Sequence, residues 1–129
     1  LATLSKHFQT NQYDYYFVHY KPADSAGEDG NFNAKVKALE TFDSFIPQIL
    51  DLNPDVLVIA GDHSTPSYLS SHSWHPVPFL INSKISQSTP KMEFNETLFS
   101  QLGSAGSISA EHLMLLVLAH AGKLHKFGP

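Results

Sequence analysis

Residues 55–79, DVLVIAGDHSTPSYLSSHSWHPVPF, constrain this chain more than any other stretch. A β-branched run from Val56 to Ile59 passes through small residues into Asp62 and His63. Such a run reads as a strand, Asp55–Ala60. Its near-continuous apolar character predicts cover on both faces. His72 follows nine residues after His63, and Pro76, Val77 and Pro78 lead into a second apolar run, Phe79 to Ile81. A strand that ends in Asp-His sets a carboxylate and an imidazole at the carboxyl edge of a sheet. Open α/β sheets bind their ligands at that edge. Carboxylate oxygen and imidazole nitrogen also suit Zn²⁺ or Mn²⁺. The expectation is a metal site for phosphate chemistry.

The flanking sequence supplies the rest of an α/β pattern. Residues 1–10 have the apolar spacing of a short helix. The aromatic and β-branched run from Tyr13 to Tyr20 predicts a strand. Lys21 to Phe32 is rich in Pro, Gly, Ser and Asp and predicts a loop. From Ala34, the positions Val36, Leu39, Phe42, Phe45, Ile46 and Ile49 follow helical spacing, with Asn33 as N-cap and Pro47 as a kink or restart. Ser64–Ser73 reads as a polar loop, Val77–Ile81 as a strand and Asn82–Lys91 as a loop. Glu93–Gln101 reads as a short helix and Gly103–Ser107 as a turn. The last helix is expected over Ala110–Ala121, with Ser109 as its cap and Gly122 as its stop. This order argues for α/β architecture with a partly parallel sheet. The two loops at strand ends, 21–32 and 62–75, carry most of the candidate chemistry.

Composition narrows the function classes. At 129 residues the chain is one domain's worth, and 42% hydrophobic with 16% charged content is that of a globular protein. The longest apolar run, Leu113–Ala119, is far short of the roughly 20 residues of a membrane helix. The chain opens on Leu and shows no signal peptide, so its true start is expected to be missing or removed. With no cysteine, a thiolate site and a disulfide framework are excluded, in keeping with a cytoplasmic protein. All eight basic side chains are lysines and the net charge is −4, which argues against a nucleic-acid partner. Tight grip on phosphate usually employs the arginine fork. A chain without arginine is expected to need help in holding a phosphorylated acid.

The run Asp24-Ser-Ala-Gly-Glu28-Asp29-Gly30, the DHSTP at 62–66 and the HxxxPVP at 72–78 stand in an order that carries a resemblance. The chain resembles the C-terminal part of archaeal-type cofactor-independent phosphoglycerate mutases, within the alkaline phosphatase superfamily. The resemblance spans nearly the whole chain and about the last third of a typical member. It implies a three-layer α/β/α fold of alkaline-phosphatase type, here partial. It also implies two divalent metal ions, Mn or Zn with Mg as an alternative. Asp62 and His63 would hold one metal, and Asp24 and His72 the other. The family has a histidine four residues after the first aspartate. Glu28 stands there in this chain, and a carboxylate favours Mn²⁺ or Mg²⁺ over Zn²⁺.

The implied reaction interconverts 2- and 3-phosphoglycerate in glycolysis through a phosphoserine. The nucleophilic serine, a further aspartate ligand and the substrate-gripping arginines belong to the family's N-terminal part. This chain therefore resembles a C-terminal metal-binding portion, without catalytic activity by itself. Lys21 is a candidate phosphate contact, and His75 is a candidate neighbour of the ligands. Ser64 reads as a turn residue rather than a nucleophile. His7, His112, His120 and His125 read as surface or helix-end residues, and Leu113, Leu116 and Val117 as core. A related metal-dependent phosphatase or phosphodiesterase, or a non-catalytic domain marked by Glu28, remains the alternative. Apolar surface and a sheet edge left by a missing portion predict a homo-oligomer.

Overall fold

The computed structural model of the chain describes residues 1–86, 93 and 95–124. The elements run α1 (Ala2–Gln9), α2 (Pro22–Glu28), α3 (Phe32–Asp43), α4 (Ile46–Leu50), β1 (Val56–Ala60), β2 (Phe79–Ser83), α5 (Glu96–Leu102), a 3₁₀ turn (Ala110–His112) and α6 (Leu113–His120). They divide into two units. One holds Leu1–Pro54 and His63–His75; the other holds Asp55–Asp62 and Pro76–Pro129.

In the first unit α1 forms as its apolar spacing predicts. The aromatic segment that follows does not become a strand. A strand needs a ladder partner to be stable, and among the described residues no strand pairs with 13–20. Its rings pack sideways instead. Tyr16 lies 5.4 Å from Phe8 of α1, and Tyr20 lies 5.2 Å from Phe42 of α3, between ring centroids. The Tyr16 hydroxyl also donates to the His7 carbonyl oxygen.

The loop expected over 21–32 holds a helix. Pro22 opens α2 in the first turn, where its missing N–H costs nothing. Gly30, at φ +67°, closes it. The Asn31 N–H donates to the Ala26 carbonyl at 2.9 Å, and the Gly30 N–H to the Gly27 carbonyl at 3.0 Å. These two bonds make a Schellman motif, which satisfies the helix's last carbonyls. Asn31 then caps α3, its side chain accepting from the Ala34 N–H at 2.9 Å. The cap is thus Asn31 and not the expected Asn33, because the Schellman turn already commits residue 31 to an extended backbone. Pro47 restarts the chain as the short α4.

The second unit is built on β1 and β2, which pair antiparallel with Val58 opposite Ile81. This corrects two expectations. The second strand begins at Phe79 rather than Val77, because neither Pro76 nor Pro78 can donate to a ladder. Where a partly parallel sheet was expected, this pair is antiparallel, because residues 61–78 contain no crossover helix to carry the chain back. This two-stranded sheet is the only sheet among the described residues. β1 is half-buried along most of its length rather than covered on both faces.

α6 packs on β1. It is preceded by a 3₁₀ turn, where one continuous helix from Ala110 was expected, and Ser109 makes no side-chain cap. Leu113, Leu116 and Val117 are half-buried rather than fully enclosed. Gly122, at φ +66°, ends the helix with a second Schellman pair, from the Gly122 N–H to the Ala119 carbonyl and the Lys123 N–H to the Leu118 carbonyl. α5 starts one turn later than expected, capped by Asn95. β2 runs through Asn82 and Ser83 into the loop expected over 82–91, because the ladder pairs them with Leu57 and Val56; residues 87–91 of that loop lie outside the described residues, as does His125. Among the described residues no helix is long and apolar enough to cross a membrane.

Candidate metal centre

The site lies in the first unit and is assembled from two pieces of chain. α2 and its N-cap residue supply Lys21, Asp24 and Glu28, spaced three and four residues apart and so brought to one side of the helix. The excursion 63–75 supplies His63, Thr65 and His72. Ser64 and Ser73 form an antiparallel bridge, with the Ser73 N–H donating to the Ser64 carbonyl at 2.8 Å. Side chains alternate along extended chain, so His63 and Thr65 share a face, and the pairing sets His72 beside Thr65. The bridge is therefore what brings two imidazoles together across the loop. Their ring centroids are 3.9 Å apart.

α2 docks against this excursion through Gly27. A Cβ at that position would run into the Thr65 carbonyl oxygen. Ala26, Ala38 and Thr65 are the buried side chains here, and their small size lets backbone approach backbone. The Lys35 ammonium of α3 donates to the same Thr65 carbonyl.

The convergent atoms are specific. Asp24 Oδ1 lies 3.5 Å from His72 Nε2 and 3.9 Å from His63 Nε2. One ligand atom each from Asp24, His63 and His72 falls within a 4.8 Å cluster. Two ligands about 2.1 Å from a metal at a tetrahedral angle stand about 3.4 Å apart. One carboxylate and two imidazoles in a cluster of this size are a ligand set that divalent ions use. Glu28 Oε1 adds a second carboxylate, 3.4 Å from His72 Nε2.

The Asp24 side chain is largely covered, at 14% exposure. Lys21 donates to its Oδ2 and Thr65 to its Oδ1 at 2.6 Å. These hydrogen bonds, with the nearby charges of Lys21 and His63, hold its carboxyl down at about 2, against an opposing push from burial. Asp24 is thus an anion at any physiological pH, ready to ligate.

The structure therefore unites Asp24, Glu28, His63, His72 and Lys21. Asp62 follows β1 in the other unit and is exposed. Ser64 serves through its main chain in the bridge. His75 is bonded to Ser73 Oγ at 2.8 Å and stacked on Trp74. His120 ends α6, where its Nδ1 meets Ser83 Oγ at 2.7 Å. Thr65 and Lys35 were not legible from the sequence. The hydroxyl two residues beyond His63 was the available signal for Thr65. Lys35 carried none.

Comparison with known proteins agrees with this chemistry. Residues 1–120 match the Metalloenzyme superfamily, and the chain belongs to that family. A protein of Thermotoga petrophila named as a probable 2,3-bisphosphoglycerate-independent phosphoglycerate mutase is 55% identical over 92% of this chain and 29% of its own length. A Thermus thermophilus protein of the same name is 50% identical over 91% of this chain, again 29% of its own length. The chain thus spans less than a third of these relatives. The solved structure of the PH0037 protein from Pyrococcus horikoshii superimposes with a TM-score of 0.87 at 32% identity. It covers 97% of this chain and 39% of that one.

Proposed function

We propose that this member of the Metalloenzyme superfamily is the metal-binding C-terminal portion of a phosphoglycerate mutase that interconverts 2- and 3-phosphoglycerate. The observation that carries the reading is the clustering of Asp24, His63 and His72, which each bring one ligand atom within 4.8 Å of the others. The names of the relatives support the substrate class. Asp24, Glu28 and His72 would hold one divalent ion. His63 and its chain neighbour Asp62 would contribute to a second. Two such ions polarise a phosphate and offset charge on the attacking and leaving oxygens.

The residues of this chain have their own tasks in that scheme. Asp24 and Glu28 bring negative charge that offsets the cations, and the carboxylate at 28 favours Mn²⁺ or Mg²⁺ over Zn²⁺. Lys21 neutralises Asp24 in the metal-free chain. With a cation bound at Asp24, Lys21 would be the side chain of this chain placed to contact the substrate phosphate. The serine that accepts the phosphoryl group lies elsewhere in the full-length protein, as do the arginines that hold the acid. Within that whole protein we place these elements in a three-layer α/β/α core. The partner is a small phosphorylated acid in the cytoplasm, not a nucleic acid or a membrane.

Calorimetric titration of the 129-residue chain with Mn²⁺ and with Zn²⁺ tests the reading. Binding is expected in the wild type and should be lost in Asp24→Asn. The isolated chain should show no interconversion of the phosphoglycerates. A wild type that takes up neither metal, or an Asp24→Asn variant that binds as tightly, would overturn the assignment. A full-length protein that cleaves a generic phosphodiester and ignores phosphoglycerate would point to a related hydrolase instead.

A further inference from the structure

Thr65 is buried to 3% exposure, and its hydroxyl lies between two of the converging residues. Its Oγ1 is 2.6 Å from Asp24 Oδ1 and 3.1 Å from His63 Nδ1. A hydroxyl has one proton to donate and lone pairs to accept with. An ionised carboxylate can only accept, so the Thr65 proton goes to Asp24. At His63 the Thr65 oxygen must then accept, and Nδ1 must carry the ring proton. The neutral ring keeps its lone pair on Nε2, the atom that faces Asp24 Oδ1 at 3.9 Å.

We infer that Thr65 is a positioning residue that sets the tautomer of His63, so that the Nε2 lone pair points into the metal cluster. This rests on the metal-binding reading above and extends it to a residue that touches no metal. The supports of Thr65 fit that task. Lys35 holds its carbonyl. Gly27 lets α2 lie against its backbone, with the Thr65 methyl facing the position a Cβ would occupy. A β-branched side chain has few χ1 choices, so the hydroxyl direction is held once the methyl is seated. Partners that orient a ligating imidazole through its other nitrogen are worth about 10–100-fold in metal affinity.

The test reads the ring directly. Long-range ¹H–¹⁵N spectra of the metal-free 129-residue chain, at mildly alkaline pH, should show His63 protonated at Nδ1. Thr65→Val, nearly the same shape without the hydroxyl, should lose that preference and weaken Mn²⁺ by about 10–100-fold. Thr65→Ser should keep both properties, which separates loss of the hydroxyl from loss of the fold. A wild-type His63 protonated at Nε2 would overturn the inference, as would a Thr65→Val ring that keeps the Nδ1 proton. If the tautomers behave as expected but no form of the chain binds Mn²⁺, the positioning role stands and the metal-binding reading falls.

Discussion

At the scale of single residues, four groups contend for the one carboxylate of Asp24. Lys21 takes Oδ2, Thr65 takes Oδ1, and both imidazoles face Oδ1. Its pKa is lowered from 3.8 to about 2, first through the Lys21 hydrogen bond. A folded-state value below the unfolded one contributes stability at pH above 3.8, and that contribution is lost as pH falls from there toward 2. A ¹³C titration of the metal-free chain should therefore place the Asp24 midpoint near 2. In Lys21→Ala it should climb back toward the ordinary value, and acid unfolding should begin at higher pH. An unmoved midpoint would show that Lys21 is not the cause. Glu28 makes a separate test of metal choice. Replacing it with His exchanges a hard oxygen for a nitrogen, so Glu28→His should raise the affinity for Zn²⁺ relative to Mn²⁺. Competition titrations that show an unchanged ratio would remove Glu28 from the ligand set.

At the scale of elements, the site depends on how closely α2 can lie against residues 63–65. Gly27 permits that approach, since any Cβ there meets the Thr65 carbonyl oxygen, which cannot swing aside as a side-chain tip could. Gly27→Ala should cost about 1–3 kcal/mol in denaturant unfolding, the usual penalty of overpacking. It should weaken Mn²⁺ binding as well, because Asp24 and Glu28 ride on the displaced helix. Full stability with normal metal affinity would mean that α2 docks elsewhere. The same helix shows where the sequence could be read and where it could not. DHSTP and HxxxPVP carried Asp62, His63 and His72 in local motifs, and the β1 run needed only its own β-branched residues. The stretch Lys21–Phe32 looked like a loop because Pro, Asp, Ser and Gly are all turn formers. Yet Pro22 and Gly30 sit where a helix welcomes them, one at its start and one just past its end. A helix of seven residues has too few apolar positions for periodicity to announce it. Strand pairing was hidden for a different reason: the antiparallel β1–β2 register depends on the path of residues 61–78, and no local pattern encodes that path. Lys35 reaches Thr65 across thirty positions, and no spacing rule finds such a partner.

For the molecule as a whole, the balance between apolar content and covered surface decides how the chain behaves alone. Hydrophobic residues make up 42% of the sequence, yet among the described residues no large side chain is fully buried. Phe17 is 77% exposed and Trp74 87%. α6, LMLLVLAH, is apolar on every face, a composition that belongs to a helix enclosed on all sides, and still Met114 and Leu115 are exposed. The two-stranded sheet leaves each strand with one unpaired edge among the described residues, a template for further pairing. Surface of this kind is covered by other protein in a stable state. The chain spans 29% of the Thermotoga and Thermus relatives, so in a full-length protein the cover is intramolecular in our reading. When the 129-residue chain is prepared alone, its own copies are the available substitute. Light scattering should then give a mass at least twice 14.3 kDa, rising with concentration. Leu115→Lys places a charge on the exposed side of α6 and should shift the population toward monomer while leaving Mn²⁺ binding unchanged, because Leu115 is exposed and is not among the proposed ligands. A wild-type chain that stays at 14.3 kDa across the concentration range would refute the account, since it would require these apolar faces to be stable in water.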